Sequence, residues 1–203
     1  MKQKIYMLAL LTSFTLLTSC YPDGADYADE TDIVYTVYDK EADFGSKGTY
    51  AMPDKIVKIT GSYQDNGEIE YINDIYAGPI LANIDTNMKA YGWTKVDESS
   101  NPDVVILPAA WSTTYLVYWY DYWCWWDPYY CGGWWYPYPV TSSYSAGTLL
   151  LNMVDAKSND PNGTRKGIWL GTINGLLSGT YSQNRVNNAV NQAFKQSPYL
   201  NTK

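Results

Sequence analysis

The runs TLLLNMV at 148–154 and IWLGTI at 168–173 decide how this chain folds. Both are of strand length, and a polar loop through Asn159, Asp160, Pro161, Asn162 and Gly163 separates them. That pattern predicts a pair of strands. Upstream, DVVIL at 103–107 reads as a buried strand and WTKV at 93–96 as a short one. From Asn73 the apolar period changes to that of a helix. Ala77, Leu81, Ile84 and Met88 share one face, Pro79 is placed near the start, where a missing N–H is tolerated, and Gly92 suits the C-terminus. DIVYTVY at 32–38 has the β-branched and aromatic composition of a strand. Asp43 and Phe44 suggest a turn, and 49–51, 55–60 and 68–72 are short strand-like runs. A last helix places Val186, Val190, Ala193 and Phe194 inward before Pro198. The order predicts an α+β fold: an antiparallel or mixed sheet with two amphipathic helices on one face, plus a Tyr/Trp-rich hairpin excursion.

The amino terminus reads as an address. Lys2 and Lys4 precede an apolar run at 5–17, which is too short for a bilayer core of about 30 Å and has the shape of a secretory signal. Leu17-Thr18-Ser19-Cys20 resembles the lipobox of bacterial lipoproteins, in which diacylglycerol is attached to the Cys sulfur and the chain is cut just before it. The expected organisation is a signal peptide at 1–19, a lipidated Cys20 opening an acidic tether at 20–31, and one α+β domain at 32–203 with an aromatic insertion at about 111–144. Tyr21 stands where the usual inner-membrane retention signal has Asp. The expected location is therefore the outer membrane, lipid-anchored, facing the periplasm or the cell surface. Asp23, Asp26, Asp29 and Asp32 recur every third residue, which is not the ligand spacing of a calcium loop.

Composition excludes several chemistries. The 203 residues carry 14 Lys+Arg against 21 Asp+Glu and no histidine. With a net charge of −7, the chain lacks the basic footprint that nucleic-acid phosphates require. The absence of histidine removes the commonest general base and zinc ligand, and with them Ser–His catalysis. No phosphate-binding or dinucleotide fingerprint is present. With Cys20 assigned to the lipid, Cys124 and Cys131 remain, and in an oxidising compartment they read as a structural disulfide at a hairpin tip. Closing an eight-residue loop would stabilise by about 2.5 kcal/mol in the loop-entropy picture. No metal or cofactor is expected.

The aromatic residues are unevenly spread. Of 21 Tyr, 9 Trp and 3 Phe, seven Trp and nine Tyr fall within 111–144, where Asp121 and Asp127 are the only charges. Residues 111–123 and 134–144 are expected to pair as a hairpin with the cysteine loop at its end. Apolar and aromatic side chains occupy both parities of the first arm, and two apolar faces cannot both stand free in water. Four readings follow: a hairpin folded over the body as core, a protein or oligomer interface, a glycan surface, or contact with the membrane interface. The preference for Tyr and Trp over Phe argues for rings with one wet end. The contact candidates are Tyr118, Trp119, Tyr122, Trp123, Trp125, Trp126, Trp134 and Trp135.

Several motifs resemble one family in order. Tyr38-Asp39-Lys40-Glu41-Ala42-Asp43-Phe44 with Thr49-Tyr50-Ala51, Asn101-Pro102-Asp103-Val104-Val105-Ile106, Gly147-Thr148-Leu149-Leu150-Leu151 and Ile168-Trp169-Leu170-Gly171 are similar to envelope lipoproteins carrying domain of unknown function 4136. The family pattern more often has Asp where Asn152 stands and a basic residue where Leu170 stands. The resemblance implies an anchored α+β domain without established catalytic residues. A carboxylate pair, Asp121 with Asp127, is the one glycosidase arrangement in the segment, and a lone Asp on an exposed hairpin is more often there for solubility. The expectation is a non-enzymatic, lipid-anchored envelope protein that contacts an envelope protein partner through the hairpin. A glycan-binding surface lipoprotein is the alternative, and a carboxylate-dependent glycoside hydrolase stands behind it.

Overall fold

The structure, a computed structural model, describes residues 33–60, 69–111, 134–137, 147–158, 165–177 and 181–203. In chain order these form β1 (Ile33–Tyr38), β2 (Thr49–Ala51), β3 (Val57–Ile59), α1 (Asp74–Ala90), β4 (Thr94–Lys95), β5 (Val104–Trp111), β6 (Trp134–Trp135), β7 (Thr148–Asp155), β8 (Arg165–Asn174) and α2 (Gln183–Lys195). All eight strands join one mixed sheet with the path β1-β8-β7-β5-β2-β4. The pairs along β1-β8-β7-β5 are antiparallel, whereas β2 and β3 run parallel to β5. The α+β class read from the sequence is the observed one.

The central strand β5 is buried along its whole length, which explains its unbroken apolar sequence. It runs at least to Trp111, beyond the expected 103–107, so Trp111, read as the first residue of the hairpin, belongs to a core strand paired with β3 and β7. Pro108 falls between the stretches of β5 paired by β2 and by β3, an interval in which a missing N–H breaks no ladder on that edge.

Alternate residues of the sheet feed two cores. Val104, Ile106 and Ala110 of β5 and Leu149, Leu151 and Met153 of β7 face the helices, and Val105, Leu107, Ala109, Leu150 and Leu170 face the other way. The register of β7 against β8 shifts between Met153 and Val154, so the adjacent residues Ile168 and Trp169 both reach the helix-side core. Ala77, Ile80, Ile84 and Met88 of α1 and Val186, Val190, Ala193 and Phe194 of α2 join that same core, which puts both helices on one face. Each fully buried Val, Ile, Met or Phe of this set contributes about 1.5–3 kcal/mol by leaving water.

Local chemistry sets the helix ends. Asn73 caps α1, its side chain accepting from the Ile75 N–H at 2.9 Å. Pro79 is the sixth helical residue, not a first-turn one, and Ile80 takes the fully buried place expected of Leu81. The carbonyl deprived of its usual donor is that of Ile75, in an exposed turn that water reaches. At the other end the Trp93 N–H bonds the Met88 carbonyl and the Gly92 N–H bonds Lys89, with Gly92 at φ 98°. A Cβ at Gly92 would also come within 2.6 Å of Thr202 Oγ1, so glycine is required there twice over. The run at 68–72 contributes only a bridge from Tyr71 to Val57 among the described residues, and 93–96 shortens to β4 because Trp93 turns into the core.

Candidate functional site

The polar groups that could do chemistry fall in three places. At the end of the sheet where β5 begins, Asp103 accepts from the backbone N–H groups of Gly48 and Thr49, both at 2.9 Å, and from the Thr49 hydroxyl at 2.8 Å. Lys157 pairs with its second oxygen, and Lys47 pairs with neighbouring Asp155 at 3.0 Å. Burial works against the charged form of Asp103, but the Lys157 ammonium, the two N–H groups and the hydroxyl outweigh it and hold this carboxyl well below the usual carboxylate range. Its folded-state pKa therefore lies below its unfolded one. The stabilisation is complete above about pH 4, near the unfolded value, and fades as the pH falls toward the folded value. The urea midpoint is expected to drop between pH 5 and pH 2, as an approximate window, and the drop should be shallower in Asp103→Asn. Parallel acid limbs in the two proteins would show that Asp103 is not the group responsible.

The second place is a shallow hollow of about 380 Å³ whose lining includes Met52, Pro53, Leu81, Asp85, Lys89 and Lys95. At its wall Asp85 accepts from the buried Tyr50 hydroxyl at 2.6 Å, and Lys89 donates to the other oxygen at 2.6 Å. Burial, the hydrogen bond to Asp85 and its negative charge push the Tyr50 phenol far above its ordinary value. Asp85 moves down: its burial is outweighed by the bonds from Lys89 and Tyr50 and by the charges of Lys89 and Lys95. The phenol stays protonated and the carboxylate ionised across the physiological range, so neither can exchange a proton near neutrality.

The third place lies between the helices. Asn83 donates to Asn187 at 2.9 Å, Asn87 donates to Asn191 at 2.8 Å, and Gln183 donates to Asn187 at 2.9 Å. Asn83, Gln183, Asn187 and Asn191, together with Pro79, Ala82 and Thr86, line a groove of about 400 Å³. The groove contains no titratable group, and its chemistry is hydrogen bonding alone.

On the opposite face of the sheet one polar contact stands out. Asn152 is fully buried in β7; its Nδ2 donates to the Leu107 carbonyl at 3.1 Å, and its Oδ1 accepts from the Tyr136 hydroxyl at 2.6 Å. Tyr136 packs against the second core, and the two residues before it, Trp134 and Trp135, pair in parallel with Arg165 and Lys166 of β8. Of the partner expected for this arm, 111–123, residues 112–123 lie outside the described residues; Trp134 and Trp135 lie along β8, and Trp111 pairs with Thr148 of β7 and Ile59 of β3. An extended segment adds to a strand that offers unpaired N–H and C=O groups, and the start of β8, beyond its pairing with β1, offers them.

Asn152 is also in register with Leu170 across β7 and β8. The two positions at which this chain departs from the pattern described above are thus facing partners. A neutral amide beside a leucine removes the burden of burying two charges and leaves the amide oxygen for the Tyr136 hydroxyl. The sequence signal for Asn152 is its position as the one amide within TLLLNMV. Tyr136 has no such mark, being one of sixteen rings within 111–144.

Of the sequence-derived contact residues, Trp134 and Trp135 lie in β6. Tyr118, Trp119, Tyr122, Trp123, Trp125 and Trp126 lie outside the described residues, as do Cys20, Cys124, Cys131, Asp121 and Asp127. Among the described residues no group of three or more His, Cys, Asp or Glu side chains is placed to hold a metal ion.

A mixed sheet carrying two parallel helices on one face, with Tyr136 packed against the other, defines an α+β domain in which Lys47–Asp155 and Lys157–Asp103 are ion pairs. The chain belongs to the family called Domain of unknown function (DUF4136), whose family model matches residues 34–199. A crystal structure of a DUF4136 family protein from Bacteroides thetaiotaomicron VPI-5482 is 33% identical, covers 85% of this chain and 98% of its own, and superposes with a TM-score of 0.70. Two PelC dodecamer structures from Paraburkholderia phytofirmans cover 84% and 85% of this chain and 99% of theirs at 12% identity, with TM-scores of 0.41 and 0.39. No curated protein matches the chain.

Proposed function

We propose that this chain is a non-enzymatic, lipid-anchored protein of the cell envelope, held in the outer membrane through Cys20, and that its Tyr/Trp-rich segment contacts an envelope protein partner. The observation that carries the proposal is the Tyr136–Asn152 hydrogen bond beneath β6, which supports a segment fastened to the body at a set place. The clamped carboxylates support the non-catalytic part: Asp85 and Asp103 are shifted downward, away from the raised pKa of a general acid. A Cys124–Cys131 disulfide belongs to the same proposal, since export to an oxidising compartment permits it.

The test uses the full lipidated chain. In cross-linked pull-downs from detergent-solubilised envelopes, the double variant Trp119→Ala/Trp123→Ala is expected to lose the captured protein while keeping the wild-type urea midpoint. Unchanged capture would sink the partner reading. Point variants are preferable to deleting 115–143, because that deletion also strips Tyr136 from the second core. Quenching of Trp fluorescence by cell-surface polysaccharides, abolished in Trp125→Ala or Trp126→Ala, would move the assignment to glycan binding.

A further inference from the structure

The two ends of the sheet differ in what they show to solvent. At one end stand Asp103, Asp155, Lys47 and Lys157, with Asp39 and Lys166 close by across β8. The other end is where β1 begins, Ile33 pairing with Asn174 at the close of β8. Both helices start at this second end. The Arg185 side chain, in the first turn of α2, donates to the Gly175 carbonyl at 2.6 Å. The Asn83–Asn187 and Asn87–Asn191 bonds show that α1 runs parallel to α2, so its first turn lies at the same pole.

That pole carries a cluster of uncovered apolar side chains. Ile75 is 73% exposed, Tyr76 41% and Tyr181 37%, and the rings of Tyr76 and Tyr181 lie 4.7 Å apart. A single exposed isoleucine needs no explanation, but one flanked by two tyrosines does. Among the described residues nearby, Lys55 pairs with Asp74 and Lys58 with Glu70. The chain outside the structure also ends here: 21–32 joins the lipidation candidate Cys20 to Ile33, and twelve residues span at most about 40 Å. A tether of that reach does not orient a body whose longest strand is about 33 Å.

We propose that this pole is a membrane-facing surface: Ile75 inserts at the bilayer interface, and Tyr76 and Tyr181 lie at headgroup level, the depth at which tyrosine rings are preferred. The charged opposite pole then points away from the bilayer. The inference rests on the anchoring at Cys20 proposed above, and it adds an orientation to that anchor.

The test places the lipidated chain in nanodiscs of phosphatidylethanolamine and phosphatidylglycerol containing a gadolinium-chelating lipid, with the isoleucine methyl groups labelled for NMR. The expected result is loss of the Ile75 methyl signal while that of Ile168, toward the charged end, is retained. In Ile75→Lys, which is exposed enough not to disturb folding, the other methyl signals at the helix-start pole should regain intensity. Equal survival of the Ile75 and Ile168 signals on a chain whose mass confirms the lipid overturns the orientation alone. A chain that acquires no lipid mass overturns the anchor and the orientation together.

Discussion

Cys20→Ser is expected to transfer the protein from the membrane fraction to the soluble one. A diacylglyceryl group adds two acyl chains, and each buried methylene contributes about 0.8 kcal/mol, so two chains hold where one is only marginal. Nothing in the described body replaces that hold, since no helix among the described residues is long and apolar enough to cross a membrane. The surface formed by Ile75, Tyr76 and Tyr181 offers a few side chains, enough to orient a tethered body and too little to retain an untethered one. Carbonate-washed membranes should therefore retain the wild type and release the variant, with mass spectrometry reporting the lipid on the wild-type peptide that begins at residue 20. A variant that still sediments with washed membranes would refute the lipid reading.

The second large effect is on stability. Trp169→Ala is expected to destabilise the fold by about 3–5 kcal/mol. The indole is fully buried, lies 5.7 Å from the Phe194 ring, and sits so close over β8 that a Cβ at Gly171 would come within 2.9 Å of it. Its Nε1–H donates to Ser197 Oγ at 2.9 Å, which ties the sheet to the turn after α2. Removing the ring leaves a cavity where sheet, helix and carboxyl-terminal turn meet, and none of the three can close it without breaking its own hydrogen bonds. Trp169→Phe keeps most of the packing and loses the donor, so its loss should be the smaller of the two. Urea unfolding with an unchanged slope measures both. A loss below about 1 kcal/mol for the alanine variant would mean that the indole does not bridge the two layers.

How much of this was readable in the residues depends on the range of the forces involved. The strands at 32–38, 49–51, 148–154 and 168–173 and both helices follow from local periodicity, and the structure places each of them. The helix starts at Asn73 as read, which puts Pro79 in its second turn and not its first, and Ile80 takes the fully buried position expected of Leu81. The pairing of Trp134 and Trp135 with β8 was not foreseen. Composition reports that rings must be covered, but it carries no information on which strand has an open edge.

The sequence by itself determined the class of fold, the face each helix buries, the family, and the candidate address in LTSC before residue 21. These depend on periods of two and 3.6 residues and on short contiguous motifs. Only the tertiary structure decided that Asn152 and Leu170 face one another, that Tyr136 bonds Asn152, and that Ile75, Tyr76 and Tyr181 gather where β1 begins. Such pairings join residues 16 to more than 100 positions apart. They follow from sheet register and helix direction, which are set by how the whole core closes and not by any one stretch of chain.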